Sequence, residues 1–227
     1  MGYSKKEIIV KAEKAAENMQ FFYKSDFINY RGKTSDTDEY YTEIVCEWLL
    51  ENFDVLEKIP VITRERGYFT KTHDGVIKNT NSNRTEEIIA IKMFNQSEIN
   101  GLGRILDYQT PLKNTSADDG AGKIDLISYD GNILRILELK KPDSKETMLR
   151  CVIEGYTYLK TVDTKKLLQD FNLPMETDVA ANPFVFAGSN AYTEMLEDRP
   201  KLKELINVLN CKPLFIKCDN EKFVVEE

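Results

Sequence analysis

Ile133-Leu134-Arg135-Ile136-Leu137-Glu138-Leu139-Lys140 is the run on which the reading of this chain turns. It is apolar at both parities over most of its length, which marks a central strand covered on both faces. Glu138 and Lys140 stand two apart, so their side chains project to the same face, and burying that pair without compensating partners costs several kcal/mol. Pro142 stops the strand. The charged pair therefore sits at its C-terminal end, where open α/β sheets bind ligands.

Immediately upstream, Lys123-Ile124-Asp125-Leu126-Ile127-Ser128-Tyr129 carries one acid in an apolar alternation, and Asp130-Gly131-Asn132 between the two runs is a strong hairpin signal. A two-residue tip allows two registers. With Asp130-Gly131 at the tip, Asp125 faces Ile136 and lies diagonal to Glu138; with Gly131-Asn132 at the tip, it faces Glu138 directly. Both registers keep the two carboxylates on one face, whereas a three-residue tip separates them unless a bulge restores the phase. Carboxylates held a few ångströms apart repel, and a shared proton or a divalent cation relieves the repulsion. The neighbouring lysine favours the cation. Magnesium would take oxygens from Asp125, Glu138 and the backbone carbonyl of Leu139, with water and a phosphate oxygen completing its shell. Lys140 would orient an acidified water and offset charge developing on the phosphorus.

Working outward, apolar residues recur at helical intervals from Ser4 to about Phe22, and again from Asp38 to about Glu57, where Pro60 ends the pattern. Two β-like pieces follow between Val61 and Arg84, then an Asn/Ser loop from Lys78 to Asn83. Thr85 can cap a third helix running to about Asn95, with Glu86 and Glu87 in its first turn, where carboxylates meet the positive end of the helix dipole. Strands are expected at Ile105 to Leu112, Lys123 to Tyr129, Ile133 to Lys140, Phe184 to Ala187, Leu214 to Lys217 and Lys222 to Val225. Helices are expected at Glu146 to Thr161, with Asp143 and Glu146 in capping-box spacing, and at Tyr192 to Leu209. The alternation is α/β with a mixed sheet.

Composition fits this reading. The 227 residues are 41% hydrophobic and 30% charged, enough for a substantial core. No apolar stretch approaches a membrane span, and charges throughout the first twenty residues leave no signal-peptide core, so a cytoplasmic location is expected. Four scattered cysteines and one histidine give no zinc spacing, and any metal would be held by oxygen. The formal net charge of −7 argues against a protein that coats nucleic acid through a general basic surface. It leaves room for a locally basic cleft, with Lys123, Lys141 and Arg150 as candidate phosphate contacts, or for a homodimer or partner protein that completes a groove.

Asp125, twelve intervening residues, then Glu138-Leu139-Lys140 on a hairpin, preceded by an acidic helix, resembles the PD-(D/E)XK nuclease superfamily. The resemblance implies a restriction-endonuclease-like core: a central mixed β-sheet flanked by helices, here residues 61–227, with residues 1–60 as a helical extension packed on it. It also implies a Mg²⁺-dependent nuclease, with Mn²⁺ as a possible substitute, that cuts nucleic acid, DNA before RNA. Asp125 and Glu138 would bind the metal, Lys140 would assist the nucleophile, and Glu86 or Glu87 would support the site. Glu87, which shares a face with Ala90, Ile91 and Phe94, has the slight preference. Arg150, Glu154 and Tyr158 form a stripe on the following helix, and Glu154-x-x-x-Tyr158 looks like a variant of the Gln-x-x-x-Tyr element of the RecB-like branch. Two departures stand out: Ile124 replaces the proline before Asp125, and Glu154 replaces the glutamine, adding a charge.

Blander readings compete. An isolated E-x-K on a strand is most often a solvated pair, the acids at 86 and 87 are sufficiently explained by the helix dipole, and Arg150, Glu154 and Tyr158 could be an exposed ladder. His73, beside Asp74-Gly75, reads as a surface turn residue, Asp118 and Asp119 as a solvated turn, and Trp48 and the cysteines as core. The rival functional class is a catalytically inactive nucleic-acid-binding or interaction protein on the same fold.

Overall fold

A computed structural model describes residues 2–79, 84–219 and 222–226. Among them the chain builds one seven-stranded mixed sheet in sequence order: β1 (Glu98–Ile99), β2 (Gly103–Pro111), β3 (Lys123–Tyr129), β4 (Ile133–Leu139), β5 (Asp178–Phe186), β6 (Leu214–Asp219) and β7 (Lys222–Glu226). Strands β1 to β4 form an antiparallel meander. The central trio β4, β5 and β6 is parallel, because helices carry the chain back between them, and β7 returns antiparallel. The asparagines and serine at 81–83, within the loop expected from Lys78 to Asn83, lie outside the described residues.

Helix α3 (Thr85–Gln96) covers one face. Its Ile89, Ala90, Ile91 and Met93 pack with Leu126, Leu137, Leu139 and Phe184 in one apolar cluster. The sheet curls around it until its edges meet: Gln96 Nε2 donates to the Phe223 carbonyl and Gln96 Oε1 accepts from the Phe223 N–H, each at 2.9 Å. The side-chain amide thus pairs with β7 as a neighbouring strand would. Gly101, at φ +85°, leaves room where a Cβ would come within 3.3 Å of Val225.

The other face carries α4 (Met148–Thr161), which lies on β4 and β5, with α5 (Thr164–Asp170), α6 (Asn190–Leu196) and α7 (Pro200–Leu209) beside it. Helices α1 (Lys5–Ala15) and α2 (Tyr41–Glu51) join the same apolar cluster from the N-terminal region, so Ile8 to Ile59 contribute to one core with the α4 face of the sheet. Among the described residues no helix is long and apolar enough to cross a membrane.

Several boundaries differ from expectation for identifiable reasons. The first helix tightens to 3-10 geometry after Ala15 because Asn18 leaves helical space (φ −138°, ψ 80°), and the second passes into a 3-10 turn at Phe53–Lys58. The β-like pieces after Val61 are not strands; Ile62 makes only an isolated bridge to Val162. Thr85 is the first residue of α3 rather than its cap, which is Arg84. Thr147, not Asp143, caps α4, its hydroxyl accepting from Arg150 N–H. The helix expected over Tyr192 to Leu209 is two helices, because Pro200 cannot donate within a helix and instead opens α7. The short strand β1 and helix α5 were not foreseen, and Cys218 is exposed rather than buried.

Candidate functional site

The β3–β4 hairpin takes the register with Gly131-Asn132 at its tip: Leu126 pairs with Leu137 and Ile127 with Ile136, and one step further sets Asp125 against Glu138. The two carboxylates share the α4 face at the C-terminal end of β4. There Asp125 stretches past the last ladder pair and accepts from Leu139 N–H at 2.9 Å through Oδ2. Its Oδ1 accepts from Gln109 Nε2 at 2.7 Å.

Gln109 is a site residue that periodicity does not reveal. It lies on β2 at φ +49°, a left-handed conformation that a non-glycine residue adopts at a cost of roughly 1–2 kcal/mol. That distortion accompanies delivery of its amide to Asp125.

Lys140, just past β4, is 5% exposed, and its ammonium is enclosed by carboxylates. Nζ lies 2.6 Å from Glu138 Oε1, 2.8 Å from Glu154 Oε2 and 3.2 Å from Glu146 Oε2. Tyr158 donates to Glu154 Oε1 at 3.2 Å. Tyr158 is in turn held edge-on by Tyr23 from the N-terminal region, ring centroids 5.9 Å apart. Small residues make the close packing possible: Gly155 of α4 faces the Cβ of Glu138, and a side chain on Gly122, at φ +87°, would collide with the Tyr158 hydroxyl. The stripe Arg150, Glu154, Tyr158 is therefore no exposed ladder, since Glu154 and Tyr158 are buried.

From the opposite face the N-terminus of α3 reaches the same end of the sheet. Glu86 Oε1 accepts from the backbone N–H of Lys141 at 3.1 Å, while Glu87 pairs with Arg84 at 3.2 Å. Both line the cleft: Glu86 holds the backbone just after Lys140, and Glu87 is turned to Arg84. Lys123 and Arg150 also line the cleft; the Lys141 side chain does not, its ammonium lying by Asp143.

The open cleft, about 590 Å³, is thus lined by six carboxylates, Glu86, Glu87, Asp125, Glu138, Glu146 and Glu154, against four cations, Arg84, Lys123, Lys140 and Arg150. The imbalance shows in the titration of its members. Burial pushes Asp125 up to about 7 against the pull of Lys140. Burial and the Glu154 charge drive Glu138 well above the usual carboxylate range. Burial opposes the charge on Lys140, but Glu138 and Glu154 outweigh it and hold the ammonium protonated. Glu154 is disfavoured by burial yet kept below its ordinary value by Lys140. One lysine cannot neutralise every acid that surrounds it, which is why Asp125 and Glu138 are raised despite its pull.

Among the described residues no set of three or more histidine, cysteine, aspartate or glutamate side chains is arranged to hold a metal ion. The reason is local: Glu138, Glu146 and Glu154 converge on Lys140 rather than on a common point. Magnesium is commonly held by only one or two carboxylates, with water for the rest. The two facing acids Asp125 and Glu138 fit that pattern: hard oxygen donors, short of counter-charge, with the Leu139 backbone alongside.

A second cleft, about 530 Å³, shares Arg84, Glu87, Gln109 and Lys123 with the first. It contains His73, which is not the surface residue expected: its side chain is only 19% exposed, Nδ1 lies 2.6 Å from Asp107 Oδ1, and its ring stacks on Tyr108 at 4.4 Å. Compared with known proteins, the chain matches no family model, no curated protein and no solved structure.

Proposed function

We propose that this protein is a metal-dependent nuclease with a restriction-endonuclease-like core, hydrolysing phosphodiester bonds of nucleic acid, DNA before RNA. The observation that carries the reading is that Asp125 and Glu138 line one open, acid-rich cleft together with a buried, carboxylate-held Lys140. Nothing about folding calls for that arrangement, because apolar residues at the same positions would bury with less penalty.

Asp125, Glu138 and the Leu139 carbonyl would hold Mg²⁺, or Mn²⁺ in its place. Bound there, the ion would acidify a water and neutralise phosphate oxygens. The chain's own residues supply the rest. Gln109 and Leu139 N–H hold the Asp125 carboxylate at two points and so fix its orientation. Glu154, itself held by Tyr158, positions Lys140, whose ammonium orients the nucleophilic water and offsets negative charge on the phosphorus in the transition state. Glu86 braces the backbone immediately after Lys140. Lys123 and Arg150 supply cations at the cleft wall for flanking phosphates.

A second reading, a binding protein without turnover on the same fold, draws on one feature: both Asp125 oxygens already accept hydrogen bonds. Cleavage of labelled single- and double-stranded DNA and RNA in Mg²⁺, Mn²⁺ or EDTA separates the two. The nuclease cuts at least one substrate with metal, and Asp125→Asn and Lys140→Ala abolish the cutting. Strand binding with no cutting by wild type on any substrate supports the binding protein.

A further inference from the structure

Asp107, 1% exposed, is a buried carboxylate used entirely as an acceptor. Oδ1 takes the Tyr108 N–H at 2.8 Å as well as His73 Nδ1, and Oδ2 takes the Thr70 N–H at 3.3 Å and the Thr110 hydroxyl at 3.2 Å. The other partners of this carboxylate are all N–H or O–H donors, so the ring meets it through Nδ1 and Nε2 is the nitrogen His73 can offer to the second cleft. The ring plane is set independently by its stacking on Tyr108, whose own hydroxyl accepts from Gly75 N–H. A buried acid with four donors and an aromatic support are elaborate fittings for a turn histidine. Around it the cleft wall is mixed: Ile88 and Ile91 are apolar, and three cations, Lys78, Arg84 and Lys123, stand against two acids, Asp74 and Glu87.

We propose that this second cleft binds one unpaired nucleotide of a single strand, next to the phosphate held in the acid-rich cleft. His73 Nε2 and Lys123 contact its phosphate, and the base lies against Ile88 and Ile91. A cavity of about 530 Å³ has room for one nucleotide, and it shares Gln109 and Lys123 with the first cleft. The inference rests on the nucleic-acid reading of the neighbouring cleft but not on turnover there.

The chain has a single histidine, so its imidazole signals are unambiguous. The test is a titration of the histidine-labelled full chain, in EDTA, with an eight-nucleotide thymidine strand, following the imidazole carbon and nitrogen resonances by NMR and affinity by fluorescence anisotropy. The expected result is a saturable shift of the His73 signals at the concentration where anisotropy reports binding, a smaller shift with inorganic phosphate, and at least a fivefold weaker affinity in His73→Gln. Strand binding that leaves the His73 resonances unmoved, or absence of strand binding, overturns the proposal. Metal-dependent cleavage with an unmoved histidine removes only this subsite. A His73 shift without any cleavage keeps the subsite and removes the nuclease.

Discussion

The two faces of β4 differ sharply, although they belong to the same seven residues. Leu137 and Leu139 point into a dry cluster with Leu126, Phe184 and the apolar side of α3. Leu134 and Ile136 begin the other face in the same way, but Glu138 and then, just past the strand, Lys140 follow them under α4. Burial is nearly complete on both sides. What differs is that, toward the cleft end of the strand, one face is explained by the hydrophobic effect, its one charge, Arg135, being paired with Asp130 near the hairpin tip, whereas the other retains charges whose mutual attraction is partly spent against desolvation. The face that keeps buried charges at the sheet end where a cleft opens is the one on which the proposed function rests.

The comparison can be broken first at Lys140. Its replacement by alanine is expected to lower metal-dependent cleavage by about a thousandfold, equivalent to roughly 4 kcal/mol of transition-state stabilisation, while the far-ultraviolet dichroism spectrum is retained. Next, Leu137→Ala on the dry face should destabilise the protein by roughly 2–5 kcal/mol in urea unfolding, with cleavage per folded molecule unchanged at low temperature. Equal activity losses from the two substitutions would erase the distinction between the faces.

Metal should act on one face only. Mg²⁺ at about a hundred times its dissociation constant should stabilise wild type by roughly 2.7 kcal/mol, seen as a rise in thermal midpoint, and Asp125→Asn should lose most of that rise. A rise of the same size in the variant places the ion elsewhere.

The smallest expected effect comes from a buried acid without a metal role. Glu194 accepts from Met148 N–H at 2.8 Å at the start of α4, and burial raises its pKa. A raised carboxyl stabilises the fold below its unfolded pKa, and that contribution is lost as pH climbs through the folded value. Wild type should therefore lose stability relative to Glu194→Gln between acid and neutral pH, by about 1 kcal/mol in urea midpoints, with cleavage unaffected. A pH-independent difference contradicts the sign.

The hairpin was legible because alternation and the Asp130-Gly131-Asn132 tip act over a short range, and the choice between its two registers fell to the one that opposes Asp125 and Glu138. Gln109 was not, because its importance comes from a left-handed backbone that brings it to a residue on the next strand. His73 looked like a turn residue, and in sequence it is; only the fold brings Asp107 and Tyr108 to it. Helix phase separated Glu86 and Glu87 only slightly, in favour of Glu87, and the backbone of Lys141 that Glu86 holds is 55 residues distant in sequence.

The central claim is that the charged face of β4 hydrolyses phosphodiester bonds. Its most direct test is the initial rate of cleavage of labelled single-stranded DNA by wild type in Mg²⁺, against EDTA and against Lys140→Ala at equal concentration. The account predicts cutting in Mg²⁺ that EDTA abolishes and Lys140→Ala reduces about a thousandfold. Cutting that persists equally in Lys140→Ala would contradict it.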